Sequence, residues 1–518
     1  MKLAAIVVAL AFLCAPSAPA QTTAAQAKPA QTKSAQAKTA KTVKATKRPD
    51  SMPLSAKSTK VRRLIEEAWV LDSDKGEPAK AIEAMRKVVK AEPKFAMGHE
   101  ILAQISLDPA EQVREQHLAF ENKGNANSAE QTVIDWLQNA SDHNLIPAIT
   151  NMNEVLRQYP HDRWVVFLAN SWLMTQTQYQ RAVDVYENSG IKNSPGLMNN
   201  AAYTYAHMRQ FKKAFALMEQ YVKMMPHDAN PNDSYAELLR MAGHYNSAIE
   251  HYRAALAINP HFYTSAYGIA DTYLLMGQED RARKEYEKAS QTFPVVPEME
   301  RVQWKTREAT TYLYEGDLAG ANKAFQALAD YAHSKKMSQI EADTYRQMAL
   351  YQARHAEALV LLKKAEKALQ AGENASASGI HQEAAMILRA RVELGIESGE
   401  LKAVDVALTS LAELSEESND KMIDSAYQGA EGARLFAAHK YKAAIPHLEE
   451  DKDNPFSLRR LAKAYRETGY VSGAKRTDEA LATFSDPTIE QALVVPPFRK
   501  CLGSPNCNAN LSAASMKH

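Results

Sequence analysis

The residue types that most often do chemistry are present in this chain, but they are not spaced for it. His99-Glu100 begins like the helical His-Glu pair of a zinc protease, yet the second histidine at the required helical spacing is missing. There is no glycine-rich phosphate loop and no G-x-S-x-G nucleophile elbow. The 3 cysteines, Cys14, Cys501 and Cys507, lie near the termini, so the body of the chain offers no thiol nucleophile. Of the 15 histidines, His161, His227 and His261 each follow a proline. They read as polar turn residues, too far apart along the chain to share a metal. No catalytic residue, cofactor or metal is implied. In an oxidising compartment Cys501 and Cys507 could close a small disulfide loop, with free thiols or a metal as the other readings.

The elements that hold these residues repeat. Ala248, Tyr252, Ala255 and Pro260 return as Ala282, Tyr286, Ala289 and Pro294, each 34 positions on, and Gly243 returns as Gly277. The same frame runs through Ala148, Met152, Val155 and Pro160, through Ala182 and Tyr186, and through Ala214, Met218, Tyr221 and Pro226. The step from Ala182 to Ala214 is 32, and that from Ala282 to Ala321 is 39. Small residues suit close helix crossings, aromatics fill the gaps between them, and proline stops the second helix of each unit. Ala270, Tyr273, Gly277, Ala282, Tyr286, Ala289 and Pro294 stand at the positions of the tetratricopeptide-repeat pattern, and the chain resembles that superfamily.

The resemblance implies an all-α chain, a right-handed superhelical α-solenoid of about ten to twelve helix–turn–helix repeats. Helical periodicity starts near Val61, with Leu64, Ile65, Ala68, Trp69 and Leu71 on one face. An N-terminal array over 61–294, best matched over 132–294, is expected to pass through Pro294–Pro297 as a joint. A more divergent array over 295–484 follows. The irregular tail, 485–518, is expected to dock Ile489, Ala492, Leu493 and Val494 as a cap on the last repeat.

In the family, first helices line the concave face. Carried onto this chain, the resemblance nominates Trp164 and Phe167, then Asn199, Asn200 and Tyr203, then Asp233, Glu237 and Arg240, and finally Tyr267 and Asp271. Asn200 falls where an asparagine can bond the main chain of an extended peptide. The carboxylate-clamp positions carry Phe167, Ser171, Asn200, Asn230 and Ser234, and only Asn200 matches, which argues against that clamp.

Net charge is +1, hiding a basic segment: residues 21–60 hold nine lysines and arginines against Asp50. This Lys/Ala/Thr/Gln-rich stretch reads as a disordered linker able to touch anionic envelope components. The mildly acidic remainder gives no support for a general attraction to nucleic acid. Lys2, the apolar run Leu3–Leu13 and Ala18-Pro19-Ala20 read as a signal peptide over 1–20, so a periplasmic or secreted location is expected. No other apolar run is long enough to span a bilayer. The expected function is a non-enzymatic scaffold gripping a protein or peptide segment. An accessory role in envelope secretion or polysaccharide export is the alternative, and an enzyme the least favoured class.

Overall fold

The computed structural model describes residues 51–293, 296–485 and 488–501. Among the described residues there are 25 α-helices and no strand. They form twelve successive pairs, from α1 (Thr59–Trp69) with α2 (Pro78–Ala91) to α23 (Pro455–Glu467) with α24 (Val471–Ala482). A single helix, α25 (Ile489–Cys501), follows. The chain is an α-solenoid, with the pair count at the top of the expected range.

The alanine frame is the packing frame. Ala148, Ala182, Ala214, Ala248, Ala282 and Ala321 are all fully buried where each outer helix crosses its inner partner. The turn between paired helices is equally regular. His143, Thr177, Arg209, Gly243, Gly277 and Gly316 all take left-handed backbone conformations. Their spacings of 34, 32, 34, 34 and 39 are those of the repeat frame. Only half of these positions carry glycine, the residue for which that conformation is free of strain.

The inner helices that matter below are α3 (Ala96–Ile105), α5 (Ser128–Ser141), α7 (Arg163–Thr175), α9 (Pro195–His207), α11 (Ala229–Met241), α13 (Tyr263–Leu275), α15 (Glu298–Glu315) and α19 (Ala377–Ser398). Asp162 caps α7 by accepting from the N–H groups of Trp164 and Val165, both at 2.9 Å. Asn127 and Glu130 form a capping box at α5. The array then winds back on itself. His143, just past α5, stacks on His381 of α19 with ring centroids 4.9 Å apart. The Met299 N–H donates to the Leu107 carbonyl at 3.2 Å.

Three expectations change. Residues 51–60 are not the end of a disordered linker. Residues 51–58 run extended across three inter-repeat turns and α1 begins at Thr59. The N–H of Met52 donates to Asp162 Oδ2 at 2.8 Å and that of Ser55 to Glu130 Oε1 at 2.9 Å. Lys57 and Ser58 donate to the two Glu92 oxygens at 3.0 and 2.7 Å, and Asn127 donates to the Pro53 carbonyl at 2.9 Å. Helical periodicity does not register this segment because main-chain bonds hold it together with Met52, Leu54 and Ala56, which alternate as in an extended chain. The joint near Pro297 is bridged by packing, because Trp304 of α15 shares one core with Tyr252, Tyr267 and Tyr286. The tail helix does more than cap. Val494, Val495 and Phe498 do pack on Leu458, Leu481 and Phe484 of the last pair, but Ile489 and Ala492 join the main core. Tyr314 of α15 donates to Gln491. The expected signal peptide over 1–20, residues 21–50 of the expected linker, and Cys507 lie outside the described residues. No described helix is long and apolar enough to cross a membrane.

Candidate functional site

The winding that closes the array also decides what its inner face exposes. Of the ten nominated groove residues, eight are buried and only Trp164 and Asn199 are half-exposed. Phe167 is 1% exposed and meets Trp69 edge-on, with centroids 5.1 Å apart. Asn200 donates to Ser171 Oγ at 2.6 Å, so its amide serves the neighbouring inner helix. The expectation that Asn200, Tyr203 and Tyr267 face outward is therefore corrected. Successive inner helices touch one another, and residues 51–74 lie across α7 and α9, with the Gly196 N–H donating to Asp74 Oδ1 at 2.9 Å.

The third and fourth groups of nominated residues converge, though not on an open groove. Asp233, Glu237, Arg240, Tyr267 and Asp271 surround a cavity of about 30 Å³ together with Tyr252, Trp304 and Arg307. That is room for little more than one water. Tyr203 donates to Glu237 Oε2 at 2.8 Å, and Arg240 donates to Glu237 Oε1 at 3.1 Å. Arg307 pairs with Asp271 Oδ2 at 2.8 Å, and Tyr286 donates to the same carboxylate. Tyr267 stacks on Trp304 with centroids 3.6 Å apart and planes 15° apart. Burial, reinforced by Glu237 and Asp233, raises the Tyr203 phenol well above its usual range, so it stays a donor. This network joins four repeats, and its members bond one another.

The open site lies earlier in the array. A cavity of about 420 Å³ sits between α1, the π-helical turn Val70–Asp74, α3 and the start of α7. Met52, Leu54, Ile65, Trp69, Ile101, Ile105, Trp164 and Ile191 supply apolar walls. That size and lining are those of a small-ligand or side-chain pocket. Arg163 and Glu66 form an ion pair among its lining residues, and the Arg163 guanidinium lies 5.0 Å from the Trp69 ring centre. His161 Nδ1 bonds the Ser189 carbonyl at 2.8 Å. Asp72 also lines the cavity, and burial pushes its carboxyl up to about 7.

Sequence reasoning found Trp164 here and missed the role of Trp69 and Asp72. The first helix pair departs from the repeat pattern, so helical periodicity placed Trp69 on an apolar face but no repeat frame marked Asp72. Asp72 lies three residues beyond the end of α1, and nothing in the sequence marks it as buried. Nothing in the described residues groups three metal-ligating side chains.

A sequence model described as the tetratricopeptide repeat matches residues 239–303. No curated protein matches. Among solved structures, a tetratricopeptide repeat protein from Parabacteroides merdae is 15% identical, with TM-score 0.35, covering 60% of this chain and 100% of that one. MamA is 18% identical with TM-score 0.26, covering 32% of this chain and 95% of that one. YrrB, described as a TPR protein with an unusual peptide-binding site, is 16% identical with TM-score 0.24, covering 41% and 94%.

Proposed function

We propose that this chain, an α-solenoid whose residues 239–303 match the tetratricopeptide repeat, is a non-enzymatic scaffold that binds a protein or peptide segment within its superhelix. One observation carries this reading: the array already grips an extended chain, its own residues 52–58. Carboxylates of Glu92 and Asp162, in inter-repeat turns, and of Glu130, in the first turn of α5, accept from the main chain of that segment. Such bonds hold any extended sequence and leave specificity to neighbouring side-chain pockets. The cavity beside Trp164 adjoins the start of that strap and is the pocket in which a partner side chain would be anchored. A preformed superhelix loses little entropy on binding.

We place this scaffold in the cell envelope, on the strength of the apolar run Leu3–Leu13 and the small residues Ala18-Pro19-Ala20. N-terminal sequencing of the exported protein is expected to begin at or near Gln21; an intact Met1 would remove the placement. The binding reading is tested by affinity capture from envelope extract. The Trp164→Ala variant is expected to lose the captured partner, whereas full retention of the partner by the folded variant breaks the reading. Replacing Phe167, Asn200 and Tyr203 as well would damage the core, so the single variant is the cleaner test.

A further inference from the structure

The buried carboxylates of the inner face come in two kinds. Asp271 has Arg307 at 2.8 Å and Glu383 has Arg346 at 2.7 Å. Asp451 has Arg389 and Glu393 has Arg460. Asp72 is just as deeply buried, at 5% exposure, and no basic side chain pairs with it among the described residues. Its Oδ2 has no hydrogen-bond partner; neither do Trp69 Nε1 and Ser73 Oγ, whose residues line the same cavity. Arg163, the one guanidinium of the lining, is committed to Glu66 and stacked on Trp69. The cavity therefore combines apolar walls, two indole rings and a carboxyl whose cation is not supplied by the described protein.

Resting on the scaffold reading above, we propose that this cavity binds a primary ammonium group carried on an apolar arm, with the ammonium beside Asp72 and the arm against Trp164, Ile101 and Ile105. An ammonium brings the three donors and the positive charge that a buried carboxylate and a neighbouring hydroxyl call for. Indole faces attract cations, and the aliphatic walls bury the arm. A free alkylamine and a lysine side chain between apolar residues share this chemistry. Because burial holds the Asp72 carboxyl at about 7, binding of the cation near neutral pH drives a proton off it.

Calorimetric titration of the full chain tests this with n-hexylammonium, n-hexanol and hexanoate, and with an acetylated, amidated Leu-Lys-Leu tripeptide. At pH 8 hexylammonium is expected to bind at least about tenfold more tightly than hexanol, with hexanoate weakest. That preference is expected to fall about tenfold at pH 6, where Asp72 is protonated. Asp72→Asn is expected to abolish it while hexanol binding persists, and Trp164→Ala to weaken both ligands. Tighter binding of the tripeptide than of the free amine identifies a lysine-bearing segment as the ligand, and the reverse identifies a free amine. Hexanol or hexanoate binding as well as hexylammonium, or no binding of any probe, overturns the proposal. Loss of the captured partner in Trp164→Ala with no ammonium binding would overturn this inference and leave the scaffold reading standing.

Discussion

Asp72 in the first repeat and Glu393 in the tenth are carboxylates of equal burial, 5% and 4% exposed. They differ in what surrounds them. Burial alone would raise Glu393, but Arg460 and Arg389 pull it below the usual carboxylate range. Asp72 meets no such charge and rises to about 7, and Glu100 on α3, with only Gln104 as a partner, rises to about 8. The C-terminal half thus encloses carboxylates with their counter-ions. In the N-terminal half Glu111 has Arg86, but Asp72, beside the cavity, and Glu100 have no such charge. Desolvation costs a buried charge several kcal/mol, and only a well-placed opposite charge offsets it. Enclosed ion pairs set the register between distant repeats, as Arg389 and Arg460 do across more than sixty residues. Bare carboxyls near a cavity make a place where something else can bind.

This contrast can be broken experimentally, and the largest effect belongs to the C-terminal half. Arg460→Ala strands Glu393 and is expected to destabilise that half by about 3–5 kcal/mol, read as a fall in its melting transition and faster hydrogen exchange in α19. Replacing both partners by leucine is expected to recover most of the loss; if the double variant is no better than the single one, the pair is more than self-compensating.

Between the halves, Gly268→Ala would place a Cβ 2.3 Å from the Tyr252 ring. Tyr252 is buried in the core shared with Trp304, so it has little room to yield. A loss of roughly 1–3 kcal/mol is expected by thermal denaturation. An unchanged melting temperature would show the shared core to be loosely packed.

The N-terminal half supplies the pH-dependent case. The folded carboxyl of Glu100 sits at about 8 against 4.5 in its ordinary state. The folded protein therefore holds that proton more tightly than the unfolded chain does. Stability from this group is greatest below pH 4.5 and falls as pH rises towards 8. Glu100→Gln is expected to leave stability at pH 4 unchanged and to raise it at pH 9 by on the order of 1–3 kcal/mol. Equal melting curves at pH 9 would mean that Glu100 has found a counter-ion.

The smallest effect is local. Thr177 is a β-branched residue with φ of 54° at a turn where later repeats use Gly243, Gly277 and Gly316. Thr177→Gly is expected to raise stability by about 1 kcal/mol. A loss instead would show that the Thr177 side chain contributes more than its backbone strain costs.

Much of this architecture was legible in the residues because it is local. The alanine frame, the aromatics between helices and the stopping prolines act within one repeat and its neighbour, so period and steps of 32 and 39 could be read along the chain. The position of Gly243 and Gly277 was legible for the same reason, although His143, Thr177 and Arg209 fill it without any glycine signal. What the inner face does was not legible. Phe167, Asn200, Tyr203 and Tyr267 stand where an open superhelix would expose them; Trp69 returns over Phe167, and the other three are enclosed against neighbouring repeats through Ser171, Glu237 and Trp304.

The sequence by itself determined the helix pairs, their order and their packing residues, since contacts between adjacent repeats follow from the period. Only the tertiary structure decided which inner residues are enclosed and which are reachable. That depends on α5 meeting α19, on α25 reaching α15, and on residues 51–74 lying across the first inner helices. Those contacts join positions up to hundreds of residues apart and obey no repeat, so they leave no periodic trace. For the same reason Trp164 was visible as a candidate while Asp72, its neighbour in the cavity, was not.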